Sequence, residues 1–204
     1  HHPDACFRAE LEKRLKGKGI TLDKQKIEDG ERHALLTTVS PFLKDIVYYT
    51  NKNSINLFAE ALGELISPTD YARTVKAELS GMGIDSCGIT LKDASGLSPA
   101  NAVPAEVFTD LLIWAKGHLS DAFVASLPQG NVDWGLRIYS DHPVLRENVI
   151  AKTGSMSGVR ALAGYLKTQR GETLAFTILV NNYVGDPVKV QEIIRDLLKE
   201  FADK

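Results

Sequence analysis

Two short segments of this chain hold side chains able to act on a peptide. The first is Lys152-Thr153-Gly154-Ser155, in which a cation, a hydroxyl and a glycine stand in consecutive order at the end of a β-branched stretch. A cation holds a carboxylate and a neighbouring hydroxyl hydrogen-bonds to it. The glycine lets a ligand backbone come close to a strand edge. Together they suit an extended peptide that ends in a carboxylate. The second segment is Ser54-Ile55-Asn56, a hydroxyl and an amide two residues apart at the junction of two expected helices. Each segment also has a plain structural reading. A K-T-G tripeptide reads equally as a strand end with an exposed lysine and a turn glycine, and Ser54 reads as a helix N-cap followed by a solvated asparagine.

The elements that must position these residues follow from periodicity. Phe7, Leu11 and Leu15 recur at helical spacing before Gly17 and Gly19, so a helix is expected over Pro3 to Leu15. Ser40-Pro41 has the form of a cap followed by proline at the first helical position, opening a helix through Leu43, Ile46 and Val47. The polar run Thr50 to Ser54 interrupts it. Leu57, Ala61, Leu62 and Leu65 then mark a second helix closed by Pro68, and Tyr71, Val75 and Leu79 a third. A loop-rich zone from Gly81 to Pro99 precedes a helix through Val107, Leu111, Leu112 and Trp114, and another loop is expected over Ser126 to Gly135. Strand texture begins at Val149 and runs to Thr153. Val159 to Thr168 then pairs with Thr173 to Asn182 across Gln169-Arg170-Gly171. Val190, Ile193, Ile194, Leu197, Leu198 and Phe201 make a closing amphipathic helix that covers one face of the sheet. Helices, then antiparallel strands, then a helix give an α+β (α/β) domain. The divisions expected are a lead-in segment over 1–39, a mainly helical part over 40–148, and the sheet with its terminal helix over 149–204.

Composition excludes several function classes. The 204 residues carry a net charge of −2 and 44% hydrophobic content, as one ordinary globular domain does. No basic cluster stands apart from interleaved acids, which argues against nucleic acid as a partner. The longest apolar run, Leu174 to Val180, has the length of a buried strand rather than a membrane span. Five histidines without an H-E-x-x-H run or a C-x-x-C pair indicate no metal site, and no cofactor is implied. Cys6 and Cys87 are compatible with a disulfide or with two thiols. His1-His2-Pro3 has neither the charged start nor the apolar core of a signal peptide.

S-x-N followed far downstream by K-T-G is the order found in penicillin-recognising serine enzymes. Longer blocks add to it: Asn53 to Glu60, Asp93-Ala94-Ser95-Gly96-Leu97-Ser98, Ser126-Leu127-Pro128, Ala151 to Val159, Ala161 to Tyr165, and Leu179-Val180-Asn181-Asn182. Together these resemble the carboxy-terminal part of the low-molecular-mass class C penicillin-binding proteins, which are D-Ala-D-Ala carboxypeptidases and endopeptidases. The resemblance implies a β-lactamase/transpeptidase-like fold with a five-stranded antiparallel sheet flanked by helices, incomplete here at its amino-terminal side. It implies serine acyl transfer on peptidoglycan stem peptides, β-lactam antibiotics as covalent inhibitors of the complete protein, and an extracytoplasmic, periplasmic address. In that scheme Lys152 attracts the terminal carboxylate, Thr153 hydrogen-bonds to it, and Gly154 keeps the strand edge open. The backbone N–H of Ser155 supplies half of an oxyanion hole. Ser54 relays a proton to the leaving amine, and Asn56 holds the peptide amide and orients a lysine.

The family's nucleophile is the serine of S-x-x-K, with a lysine one helical turn on to take its proton. No serine of this chain has lysine at the third position. Ser40 has Lys44 one residue too far, and the hydroxyl match Thr21-Leu22-Asp23-Lys24 lies in polar, loop-like sequence. The expectation is therefore a chain beginning just after the family's large insertion, inactive alone. Pro99 replaces the family's usual arginine after S-G-L-S, and Trp134 to Asn148 lacks the usual G-T-L run. Two other classes stand beside the peptidase: a non-catalytic pseudoenzyme or peptidoglycan-binding module, and a β-lactamase or esterase on the same fold, which the blocks fit poorly.

Overall fold

The computed structural model describes residues 3–21 and 37–203. It divides into two units, residues 1–40 and 41–204. The first contains helix α1 (Pro3–Gly17), which ends in a turn where Gly19 takes φ +74. Phe7 and Leu11, spaced as a buried stripe would be, are exposed. Thr21 is described, whereas the rest of the Thr21–Lys24 match lies outside the described residues.

In the second unit, four helices come first: α2 (Leu43–Asn53), α3 (Asn56–Ile66), α4 (Tyr71–Gly81) and α5 (Ala105–His118). Helix α2 starts later than Ser40-Pro41 predicts. Phe42 occupies the N-cap with extended backbone and no side-chain cap, so Ser40 and Pro41 lie outside the helix. The polar run Thr50–Asn53 continues α2 rather than breaking it. Thr50 and Asn53 bond back to the carbonyls of Ile46 and Tyr49, four residues earlier. The α4 start is capped conventionally, the Asp70 carboxylate accepting from the Arg73 N–H at 3.3 Å.

Two short helices, α6 (Asp121–Ser126) and α7 (Pro143–Asn148), flank the loop expected over Ser126 to Gly135 where the sequence marked no element, and a 3₁₀ turn over Trp134–Tyr139 overlaps the end of that loop. Each is about six residues, too short to show a periodic stripe. The strands are β1 (Val149–Met156), β2 (Val159–Lys167) and β3 (Thr173–Asn181), antiparallel in the order β1-β2-β3. The hairpin over Gln169–Gly171 matches expectation to within a residue. Three strands among the described residues stand where the resemblance implied five. β1 also runs further than Thr153, with Gly154 and Ser155 paired against Ala161 and Arg160.

Helix α8 (Pro187–Ala202) closes the chain, its first turn capped by Asp186, which accepts from the Val188 N–H at 2.8 Å. Its Ile194, Leu198 and Ala202 bury against Val149, Ala151, Leu162 and Leu166 on one face of the sheet. A leucine as fully buried as Leu162 stabilises the fold by roughly 2–3 kcal/mol. The opposite face carries Ile150, Ala163, Tyr165 and Ala175, which meet Leu112 of α5 and Leu127. The Tyr165 hydroxyl donates to the Leu112 carbonyl at 2.6 Å, satisfying its one buried polar atom. Gly164 lies opposite Ala151, and a Cβ there would strike the Ile150 carbonyl and come 2.5 Å from the Ala151 Cα. Close approach of β1 to β2 therefore requires glycine at this place.

Candidate active site

β1 is an edge strand, and its outer edge is half covered. The Ala151 N–H donates to the Pro128 carbonyl at 2.9 Å, and the Gly130 N–H donates to the Val149 carbonyl at 3.0 Å. In an antiparallel ladder the backbone groups of residues i and i+2 face the same side. Those of Thr153 and Ser155 therefore face outward, away from β2 and past the end of the 128–130 cover. Among the described residues no backbone group bonds to them there. That leaves an N–H at Ser155 available to an extended ligand or a developing oxyanion.

Side chains alternate too. Val149 and Ala151 pack on the α8 side, Ile150 on the α5 side, and Lys152 follows Ile150. The Lys152 Nζ donates to the Ser54 Oγ at 2.9 Å and to the Thr153 carbonyl at 2.8 Å, one of the outward-facing carbonyls that β2 leaves unused. Burial pushes the pKa of this ammonium down. Thr153 faces the other way, its Oγ1 3.4 Å from where a Cβ on Gly135 would stand. Ser155 is exposed.

Ser54 is not an N-cap. It closes α2 in the left-handed region (φ 53, ψ 50), its N–H bonding to the Thr50 carbonyl, and Ile55 then caps α3. This single residue makes the bend between the two helices and turns its hydroxyl to the end of β1. Asn56 opens α3, exposed, with no hydrogen bond from its side chain among the described residues. The structure thus brings Ser54 and Lys152 into contact, sets Thr153, Gly154 and Ser155 along the same edge, and leaves Asn56 near Ser54 only through the chain.

Several supporting residues escape the sequence reading. Glu60, one helical turn past Asn56, accepts the N–H groups of Ala94 at 3.3 Å and Ser95 at 2.9 Å. The Ser95 side chain and these backbone bonds hold its carboxyl below the usual carboxylate range. Asp93 folds the same loop by accepting from Gly96 N–H, Ser98 N–H and Asn101. The i, i+4 spacing puts Asn56 and Glu60 on one side of α3 but gives no sign of the 93–98 loop that Glu60 holds. Lys52 and Asp133 form an ion pair at 3.0 Å that nothing in the local sequence announces. A cavity of about 340 Å³ between α3, α4 and residues 91–94 includes neither Ser54 nor Lys152 in its lining. No cluster of three metal-ligating side chains occurs among the described residues, and Cys6 and Cys87 are free and exposed thiols.

The chain is 34% identical to a D-alanyl-D-alanine carboxypeptidase of an Actinomadura species over 88% of its own length and 35% of the relative's. It is 33% identical to the D-alanyl-D-alanine carboxypeptidase DacB of Haemophilus influenzae, over 82% of this chain and 37% of that one. It therefore spans little more than a third of these relatives. The crystal structure of penicillin binding protein 4 (dacB) from Haemophilus influenzae, complexed with a β-lactam, superposes with a TM-score of 0.85 at 28% identity, covering 100% of this chain and 52% of that one. The TLA-1 extended-spectrum β-lactamase, at 16% identity and a TM-score of 0.64, shares the fold. The model of the D-Ala-D-Ala carboxypeptidase 3 (S13) family matches residues 1–204, and the chain belongs to that family.

Proposed function

We propose that the complete protein is a serine-type D-Ala-D-Ala carboxypeptidase/endopeptidase that cuts peptidoglycan stem peptides through an acyl-enzyme. Its nucleophile would lie on an S-x-x-K segment outside these 204 residues. The observation that carries this reading is the 2.9 Å contact between Lys152 and Ser54 at the uncovered edge of β1. A carboxylate-ended peptide laid along that edge meets the Lys152 ammonium and the outward N–H of Ser155.

The proton inventory follows from the same contact. Ser54 Oγ accepts from Lys152, so its own O–H is free to donate. As the nucleophile adds to the scissile carbonyl, its proton goes to a base. When the C–N bond breaks, Ser54 gives its proton to the departing D-Ala nitrogen and regains one from that base, returning unchanged. Lys152, eased toward deprotonation by burial, steadies the hydroxyl and pairs with the substrate carboxylate. Thr153 bonds to that carboxylate, and Asn56 holds the stem amide. The negative charge on the carbonyl oxygen is met by Ser155 N–H. The substrate implies an extracytoplasmic site of action. Among the described residues no helix is long and apolar enough to cross a membrane.

Labelling with a fluorescent penicillin, together with D-Ala release from a stem pentapeptide, tests the reading. The complete protein should be acylated and release D-Ala, and the 204-residue chain should not be acylated. Failure of the complete protein in both assays would favour a non-catalytic peptidoglycan-binding module, and acylation of the short chain would refute the placement of the nucleophile.

A further inference from the structure

Ser54 is joined to Lys152 by a second route through the fold. Lys52, two residues before Ser54 in the last turn of α2, donates from Nζ to the Leu127 carbonyl at 2.6 Å and to Asp133 Oδ2 at 3.0 Å. The two side chains are only 11% and 19% exposed, so this is not a solvated surface pair. Asp133 Oδ2 also accepts the Gln129 N–H at 2.7 Å, which closes the 129–133 turn around the ammonium. The same segment is stitched to β1 through Pro128 and Gly130, bonded to Ala151 and Val149. One residue earlier, Asn51 donates to the fully buried Ser126 Oγ at 2.8 Å.

These contacts close a ring: from Ser54 through Asn53 to Lys52, across to Leu127 and Pro128, across to Ala151, along to Lys152, and back to Ser54. Every link but the last is remote from where a substrate would lie. The last is exposed and shared with the chemistry, because Lys152 must turn toward a carboxylate and Ser54 toward a leaving amine. Ser54 also sits in left-handed backbone, a conformation a serine does not hold by preference. A weak, exposed hydrogen bond that is given up on substrate binding cannot by itself hold such a residue in place.

We propose that Lys52 and Asp133 are positioning residues for the Ser54–Lys152 pair, clamping the end of α2 to the cover of β1 so that the two stay in register when their direct bond is released. The role given to the pair rests on the function proposed above. Lys52 and Asp133 touch no substrate. They act through Ser54.

The test is a double-mutant cycle in the complete protein, reading the acylation rate by a fluorescent penicillin for Lys52→Met and Asp133→Asn, each alone and with Ser54→Ala. Each single change should slow acylation about 10- to 100-fold, the scale of a misplaced catalytic group. In the Ser54→Ala background the same change should add less than about twofold, because the group it positions is already gone. Lys52→Arg, which keeps the charge and more than one donor, should recover most of the rate. Equal losses in both backgrounds would mean a general loss of fold integrity and overturn the proposal, as would single variants that acylate at the wild-type rate. Asp133→Asn keeps the side-chain shape and serves if Lys52→Met does not fold. A second readout does not depend on acylation: the ¹³Cε titration of Lys152 in isotopically labelled complete protein. Asp133→Asn should move it back toward the ordinary lysine range as the end of α2 loosens, and an unmoved titration overturns the clamp. Wild-type protein that is never acylated would refute the proposed function instead, with the titration still deciding this point.

Discussion

Lys152 and Ser54 stand 98 residues apart in the chain, and their side chains meet at 2.9 Å. The contact joins the edge of a sheet to the bend between two helices, so neither element alone makes a site. It also sets the direction of the hydrogen bond, since an ammonium has only donors. Ser54 must accept, and its hydroxyl proton is left pointing elsewhere.

If the Lys152 ammonium binds the ligand carboxylate, Lys152→Ala in the complete protein should slow acylation by a penicillin about 10- to 100-fold, the usual worth of a charge-assisted hydrogen bond. The decisive comparison uses a penicillin whose carboxylate is masked as an amide. Wild type should already react slowly with it, and the variant should lose little more. An equal further loss with the masked ligand would place Lys152 in the proton inventory alone.

If Ser54 is the proton relay proposed above, it carries a conflict between stability and chemistry that substitution can separate. Its φ of 53 suits glycine better than any residue with a Cβ. Ser54→Gly should therefore be more stable than Ser54→Ala by about 1 kcal/mol. Both should slow turnover by about 10²-fold or more, as loss of a proton relay does. Chemical denaturation gives the first number and burst kinetics the second. Equal stability of the two variants would mean that the left-handed bend does not persist in solution.

What sequence disclosed here divides along physical lines. The long elements were legible, because α8 repeats at three and four and the β2–β3 hairpin is bounded by Gly171. So were Lys152, Thr153, Gly154, Ser155 and Ser54 as candidates, since K-T-G and S-x-N are dense local patterns, whereas Asn56 makes no side-chain hydrogen bond among the described residues. Their meeting was not legible from periodicity, because nothing local states that residue 54 reaches residue 152. The same holds for Lys52 with Asp133 and for Glu60 with Ser95, which look like solvated charges until the fold brings a partner. Polar Thr50–Asn53 misled for a related reason: these residues favour caps, yet in α2 they bond back along the helix.

Alkaline pH should expose the burial of Tyr139. It is 3% exposed, and burial raises its phenol pKa from 10.0 to about 12. The folded state thus favours the neutral form more than the unfolded chain does. That stabilisation is fully present below pH 10 and is lost as pH rises from 10 to about 12. A shift of this size corresponds to on the order of 2–3 kcal/mol. Tyr139→Phe should remove that part of the alkaline slope, because phenylalanine has nothing to ionise. Urea midpoints measured from pH 9 to 11.5 for both proteins check it, and parallel curves would show that Tyr139 is open to solvent.

Gly164 sets how near β1 lies to β2, and so where Lys152 stands relative to Ser54. A Cβ at this position would run into the Ile150 carbonyl and the Ala151 Cα, which are backbone atoms that cannot rotate away. Relief requires the strands to part at the residue just before Lys152. Gly164→Ala should therefore destabilise the fold by about 3 kcal/mol or more. Gly171→Ala is the fitting control: its added methyl meets open space, and the penalty is only that of φ +82, about 1 kcal/mol. Chemical denaturation of the two variants should rank them in that order. Should Gly164→Ala prove no worse than Gly171→Ala, the spacing of β1 from β2 described above is wrong, and the Lys152–Ser54 contact loses its support.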